Sequence, residues 1–171
     1  MNLKPILYAS ASGVALLAGS SAMSGEFYGG IAHGSLNADG SNAFISVAND
    51  TQTSILLGGR FGVGSLMFGI EGDTALNAAA YTGKVSRLRL LLWHQVGNVR
   101  LFGAAGFANA AAQYCCSGSP GGGPTAGFGA EVPVSDNVAI RLEVLRDWLA
   151  IVTYSGAWTN TAVRAGAIVH F

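Results

Sequence analysis

The sequence predicts an all-β fold, an eight-stranded antiparallel up-and-down transmembrane β-barrel. Three observations lead to this prediction. Apolar residues alternate with polar or small residues in blocks of about ten, the length of a strand that crosses a membrane. Short and long connections alternate between these blocks, as in barrels with short periplasmic turns and four long extracellular loops. The positions opposite the apolar residues hold arginines and carboxylates, with little lysine.

The composition narrows the class of protein. The length of 171 residues suits a single domain. Lysine and arginine together number nine, as do aspartate and glutamate, so the chain lacks the basic surface that nucleic-acid binding requires. We therefore predict no nucleic-acid partner. Beyond the N-terminus no apolar run reaches the roughly 20 residues of a membrane-spanning helix.

The N-terminus is typical of a secretory signal. A lysine precedes an apolar run over residues 6–18, and a cluster of small residues follows. We predict a cleavable signal peptide, residues 1–22, with cleavage after Ala22 or Ser24. A membrane anchor helix is the alternative, but the apolar run is short and contains serine and glycine. The rest of the chain, residues 23–171, forms the barrel domain.

The predicted strands follow the two-residue alternation along this domain. They span about 26–37, 53–62, 65–75, 84–96, 99–109, 124–133, 137–148 and 160–171. The connections "GVGS", "VGNV" and "PVSDN" are short, and the Gly-Asn pair in the second is typical of a tight hairpin. The other four connections are long. An even number of strands places both termini on the short-turn side.

The charged residues of the strands share one face. In the fourth strand, for example, Arg87 and Arg89 alternate with Leu88 and Leu90. Arginine suits enclosed, bidentate ion pairs, and side chains can fill the interior of an eight-stranded barrel. A solvated sheet surface is the alternative, but Lys84 is the only lysine beyond the signal. We predict a charge network in the lumen formed by Arg60, Glu71, Asp73, Arg87, Arg89, Glu131, Arg141, Glu143 and Arg164.

Aromatic side chains lie near the predicted strand ends. This position is typical of the girdles that mark the two membrane interfaces of a barrel. The residues concerned are Phe27, Tyr28, Trp93, Trp148, Tyr154, Trp158 and Phe171.

Four segments, "GEFYGGIAHGS", "FGIEGDTAL", "NVAIRLEVLRDW" and "AVRAGAIVHF", resemble a known group of proteins. With the signal, they are similar to the small porin-family outer-membrane β-barrels of Gram-negative bacteria, of the OmpA transmembrane domain, OmpX and Omp25-like kind. The resemblance implies location in the cell outer membrane, surrounded by lipid bilayer and lipopolysaccharide. It also implies that the barrel-assembly machinery reads the last strand, which makes Ala167, Val169 and Phe171 the assembly signal. The penultimate His170 departs from the family pattern and receives no role.

These features predict a structural and interactive function. The barrel would stabilise the envelope and present its external loops to surface or host ligands. A narrow, porin-like channel for small solutes is the alternative, and a soluble lipocalin-like carrier would need the opposite polarity.

Arg146 shares the lipid-facing side near the outer end of strand seven. We predict that it contacts lipopolysaccharide phosphates, although snorkelling alone would also place it there.

Two further motifs bear on catalysis. His33 and Ser35 form a His-x-Ser pair similar to that of lipid A deacylases, but no acidic residue lies nearby to orient the histidine. We predict that this is a polar pair near the outer rim and that the protein is not an enzyme. Cys115 and Cys116 lie in a loop without the clustered ligands of a metal site. We predict no catalytic residues, no cofactor and no metal site.

Overall fold

A closed antiparallel barrel contains all eight predicted strands. The computed structural model describes residues 24–40, 48–63, 65–79, 83–111, 120–151 and 157–171. Each strand pairs with its neighbours in sequence, and β8 pairs with β1 to close the sheet. The strands are β1 (Ser24–Gly40), β2 (Ala48–Val63), β3 (Leu66–Ala75), β4 (Val85–Val96), β5 (Val99–Ala111), β6 (Pro120–Pro133), β7 (Val138–Ile151) and β8 (Ala157–His170). The predicted fold class is confirmed.

Some expectations fall on residues that are not described. The predicted signal peptide, Tyr154 and the two cysteines, Cys115 and Cys116, lie outside the described residues. Within those residues, the structure contains no helix of the length and hydropathy that crossing a membrane requires.

Several strands extend further into the predicted long loops than the sequence suggested. β1 and β2 remain paired where Asn37 faces Asn49 and Ala38 faces Ala48, a region that we assigned to the first loop. The Asn-, Asp- and Gly-rich composition of this region favours turns. Ladder hydrogen bonds to the neighbouring strand override that local preference, as tertiary context often does.

The hairpin between β4 and β5 has the tight turn that its Gly-Asn pair predicts. Val96 pairs with Val99, so Gly97 and Asn98 alone form the turn. Gly97 has a φ of 59°, in the left-handed region that glycine adopts without steric cost. Substitution of Gly97 would therefore strain this turn.

The stagger of the strands sets the shape of the barrel. A path along paired residues from Asn37, through β8 and on around the sheet, returns to β1 at Phe27, ten residues earlier. Eight strands with such a stagger tilt by about 35–45° from the barrel axis. The interior is then just wide enough for side chains to meet across it.

The polarity of the barrel is inverted relative to that of a soluble protein. On β4, Leu88, Leu90 and Leu92 are 59%, 67% and 52% exposed, whereas Arg87 and Arg89 are 4% and 1% exposed. The predicted assignment of faces is therefore correct. A lipocalin-like carrier needs an apolar interior, whereas the described interior of this barrel holds buried arginines and carboxylates.

Candidate functional site: a sealed lumen and an apolar outer wall

The nine charged residues predicted for the lumen are all buried inside the barrel. Each of the five arginines contacts two carboxylates at salt-bridge distance, and Arg89 also lies 3.5 Å from Asp73. Together they form one continuous series of alternating charges, which we call the lumen network. In order of contact it consists of Glu26, Arg60, Glu131, Arg141, Glu71, Arg89, Glu143, Arg164, Asp73, Arg87 and Asp147.

Many of these contacts connect opposite walls of the barrel. Arg87 on β4 donates two hydrogen bonds to Asp147 on β7, from Nε at 2.9 Å and from Nη2 at 2.8 Å. Arg164 on β8 donates from Nη2 to Asp73 on β3 at 2.7 Å. Such bidentate and charge-assisted bonds are among the strongest in proteins. They connect strands that share no backbone ladder.

Three members of this site were absent from the predicted network. Asp147 is fully buried, and Glu26 lies half-buried at the mouth on the side of the short turns. His170, to which we gave no role, is buried with Nδ1 3.1 Å from Glu26 Oε1 and 3.3 Å from Arg60 Nη2. Strand parity already places Asp147 on the charged face of β7 with Arg141 and Glu143, and it would have placed His170 with Arg164 in the same way.

The girdle prediction is wrong for three aromatic residues. Tyr28 and Trp93 point into the lumen, where Tyr28 donates from its hydroxyl to Glu71 at 2.9 Å and Trp93 from Nε1 to Glu131 at 3.2 Å. Trp158 is 4% exposed and packs in a buried apolar cluster that includes Leu149. Each has the strand parity of a lumen residue. The charge network satisfies the polar atoms of Tyr28 and Trp93, whereas the buried Nε1 of Trp158 has no hydrogen-bond partner among the described residues.

The other three residues of the girdle prediction that the structure describes face outward. Phe27, Trp148 and Phe171 are 45%, 42% and 73% exposed. Their positions match the girdle expectation.

The lumen is densely filled where the network lies. One cavity there has a volume of about 10 Å³, the room of a single water molecule, and Ser54, Arg87 and Arg164 line it. The five fully enclosed carboxylates are all engaged by guanidinium groups. None of these five is free to act as a general base.

The His-x-Ser pair lies on the outer wall. His33 and Ser35 are both exposed on β1. The imidazole Nδ1 of His33 lies 2.9 Å from the hydroxyl of Thr53 on β2, so it bonds Thr53 rather than Ser35 or a carboxylate. This arrangement lacks the hydrogen bond between nucleophile and base that a catalytic pair uses.

The predicted contact and assembly residues also face outward. Arg146 is exposed, with its guanidinium carbon 5.9 Å from the centre of the Trp148 ring. Val169 and Phe171 are exposed and Ala167 is half-buried on the outer side of β8. The last residue, Phe171, closes the seam by donating its backbone N–H to Phe27 O at 3.0 Å, while Phe27 donates back at 3.3 Å.

Comparisons with known proteins identify the fold. No protein-family model and no curated protein sequence matches the chain. Neisserial surface protein A is similar at a TM-score of 0.61 with 17% identity, covering 85% of this chain and 97% of that one. A second similar structure is Ail, the attachment invasion locus protein of Yersinia pestis, in complex with the heparin analogue sucrose octasulfate. Its TM-score is 0.58 with 12% identity, and the match covers 86% of this chain and 99% of that one. The outer membrane protein OprG from Pseudomonas aeruginosa is similar at a TM-score of 0.55 with 10% identity, and the match covers 86% of this chain and 95% of that one. The chain therefore has the fold of the small eight-stranded outer-membrane β-barrels.

Proposed function

We propose that the protein spans the outer membrane of a Gram-negative bacterium as a barrel with a sealed lumen. Its work is to stabilise the envelope and to present external loops to surface or host ligands. The observation that carries this proposal is the inverted polarity, with an exposed apolar wall around a neutralised charged interior. Water would favour the reverse arrangement, whereas hydrocarbon stabilises this one.

The sealed lumen favours the structural role over the channel. Solute passage requires a continuous aqueous path, but the lumen network joins opposite walls through enclosed ion pairs. Removing one partner from such a pair leaves a buried, uncompensated charge. Opening a path would therefore break several of these contacts together.

The outer wall supports two contacts with the envelope. Arg146 lies at the extracellular end of the apolar wall, where its guanidinium suits the phosphates of lipopolysaccharide. Ala167, Val169 and Phe171 form the outer face of the last strand, and we propose that the assembly machinery reads this face. His33 bonds Thr53, which supports a polar pair in the outer wall rather than a hydrolase.

The first test separates a membrane barrel from a soluble protein and a plug from a channel. We expect the refolded mature chain to require detergent or lipid and to migrate differently on gels before and after boiling. In a planar bilayer we expect no single-protein conductance steps. Solubility without detergent would contradict membrane insertion. Reproducible conductance steps would contradict the sealed lumen and support the channel.

The second test concerns Arg146. Replacing it with glutamine should lower the amount of lipid A bound per barrel roughly five-fold, since an exposed ion pair contributes up to about 1 kcal/mol. The Arg146→Lys variant keeps the charge and serves as the control. Lipid A retained on barrels in mixed vesicles can be quantified by mass spectrometry. Equal retention by the glutamine and lysine variants would refute a charge-based contact.

A further inference from the structure

The apolar wall is short along several strands. On β4 the outward-facing apolar residues begin at Leu88 and end at Leu92, between outward-facing Ser86 and His94. On β7 the corresponding run covers residues 138–144. The run on β6 is longer, from Pro124 to Val134, so the wall is deeper on that side.

A set of polar side chains ends the wall at its extracellular side. We call it the outer collar; it consists of His33, Thr53, Thr74, Ser86, Asn109, Arg146 and Thr161. Its members face outward on seven of the eight strands, and several of them face each other across a ladder. Thr74 and Ser86 share a hydrogen bond of 2.8 Å, and Ser86 faces Asn109 across the next ladder. Thr161 faces Arg146 in the same way.

The depth of the wall follows from strand geometry. The run on β7 covers six residue steps. At about 3.3 Å each, tilted by about 40°, these steps cover about 15 Å of membrane depth. Side chains reaching outward at both ends raise this to about 20 Å, below the band of about 25 Å that is usual for outer-membrane barrels. In a bilayer of ordinary thickness, part of the outer collar would lie in hydrocarbon.

We infer that this barrel is matched to a thin bilayer and that it thins the lipid around β1 to β4. The inference rests on the proposed membrane location. Thinning a bilayer by a few Å costs little free energy, whereas placing hydroxyl, amide and imidazole groups in hydrocarbon costs more. The lipid therefore adapts to the protein. The preferred partner is a lipid with short acyl chains, or a leaflet that compresses readily.

Equilibrium unfolding in a lipid series tests this inference. The mature chain is refolded into phosphatidylcholine vesicles with monounsaturated chains of increasing length, from myristoleoyl to eicosenoyl. The urea midpoint is read from gel mobility without boiling. We expect the midpoint to be highest in the shortest lipids and to fall steadily as the chains lengthen. A midpoint that rises towards the longest lipid would overturn the inference.

A matched pair of variants isolates the outer collar. Replacing Thr53, Thr74, Ser86 and Asn109 with leucine deepens the wall by one outward position on four strands. This variant should reach its highest midpoint in a longer-chain lipid than the wild type does. The control places four leucines within the wall instead, at Ala105, Ala126, Ala130 and Ala165.

The control should change the midpoint similarly in every lipid and leave the optimum where it is. An optimum that moves equally in both variants, or in neither, would overturn the inference. Should the collar variant fail to fold, the wild-type lipid series still decides the matter. A chain that inserts into no vesicle or detergent would instead contradict the proposed function.

Discussion

Replacing Glu131 with leucine is expected to lower the free energy of unfolding by about 3–5 kcal/mol, because it removes one partner from buried ion pairs. Glu131 is fully buried and accepts hydrogen bonds from Arg60 at 3.1 Å, from Trp93 at 3.2 Å and from Arg141. Leucine would leave two guanidinium groups partly uncompensated in a medium of low dielectric constant. Urea titration of barrels refolded in vesicles, followed by unboiled gel mobility, measures the change.

The matched control is the same substitution at Glu26, which also pairs with Arg60. Its side chain is 38% exposed at the mouth on the side of the short turns, so water can replace the lost contact. We expect Glu26→Leu to cost about 1 kcal/mol or less. Similar losses at the two positions would show that enclosure does not govern the strength of the lumen network.

Replacing Gly34 with alanine is expected to destabilise the barrel by about 3 kcal/mol, at the upper end of ordinary overpacking. A Cβ atom at Gly34 would lie 2.1 Å from the carbonyl oxygen of Val163 and 2.5 Å from the Cα of Arg164. Both are backbone atoms of β8, so no rotamer change relieves the clash. The strain falls on the seam between β1 and β8, where the barrel closes.

Gly103→Ala is the control for this substitution. Gly103 also lies within a strand, but no atom lies within 4 Å of the position that its Cβ would occupy. We expect Gly103→Ala to be neutral or slightly stabilising, since alanine loses less backbone entropy on folding. The same urea titration compares the two variants, and equal destabilisation would exclude the close strand approach as the cause.

Strand parity determined how much of the molecule could be predicted. The eight strands and the two faces follow from alternation, because successive side chains in a strand point to opposite sides. The same rule would have placed Trp93 with Arg87 and Arg89, and Trp158 with Arg164. We assigned these rings to the interfaces because of their nearness to strand ends. Position along a strand sets the depth of a side chain, whereas parity sets its direction.

The pairing of charges could not be predicted from the sequence alone. Arg87 and Asp147 are sixty residues apart, and their contact depends on the stagger of strands around the whole barrel. A shift of two residues in any single ladder would keep every face correct and still change the partners. Local alternation specifies the faces, but only the closed ladder specifies the partners.

The lumen network has a consequence for the order of events during biogenesis. Every one of its five arginines contacts carboxylates of both the β1–β4 half and the β5–β8 half. A nascent half-cylinder would thus carry guanidinium groups that have lost half of their counter-charge, and lipid tails cannot solvate such groups. On the proposed membrane location, we therefore expect the sheet to curl and to pair β8 with β1 before its inner surface leaves water.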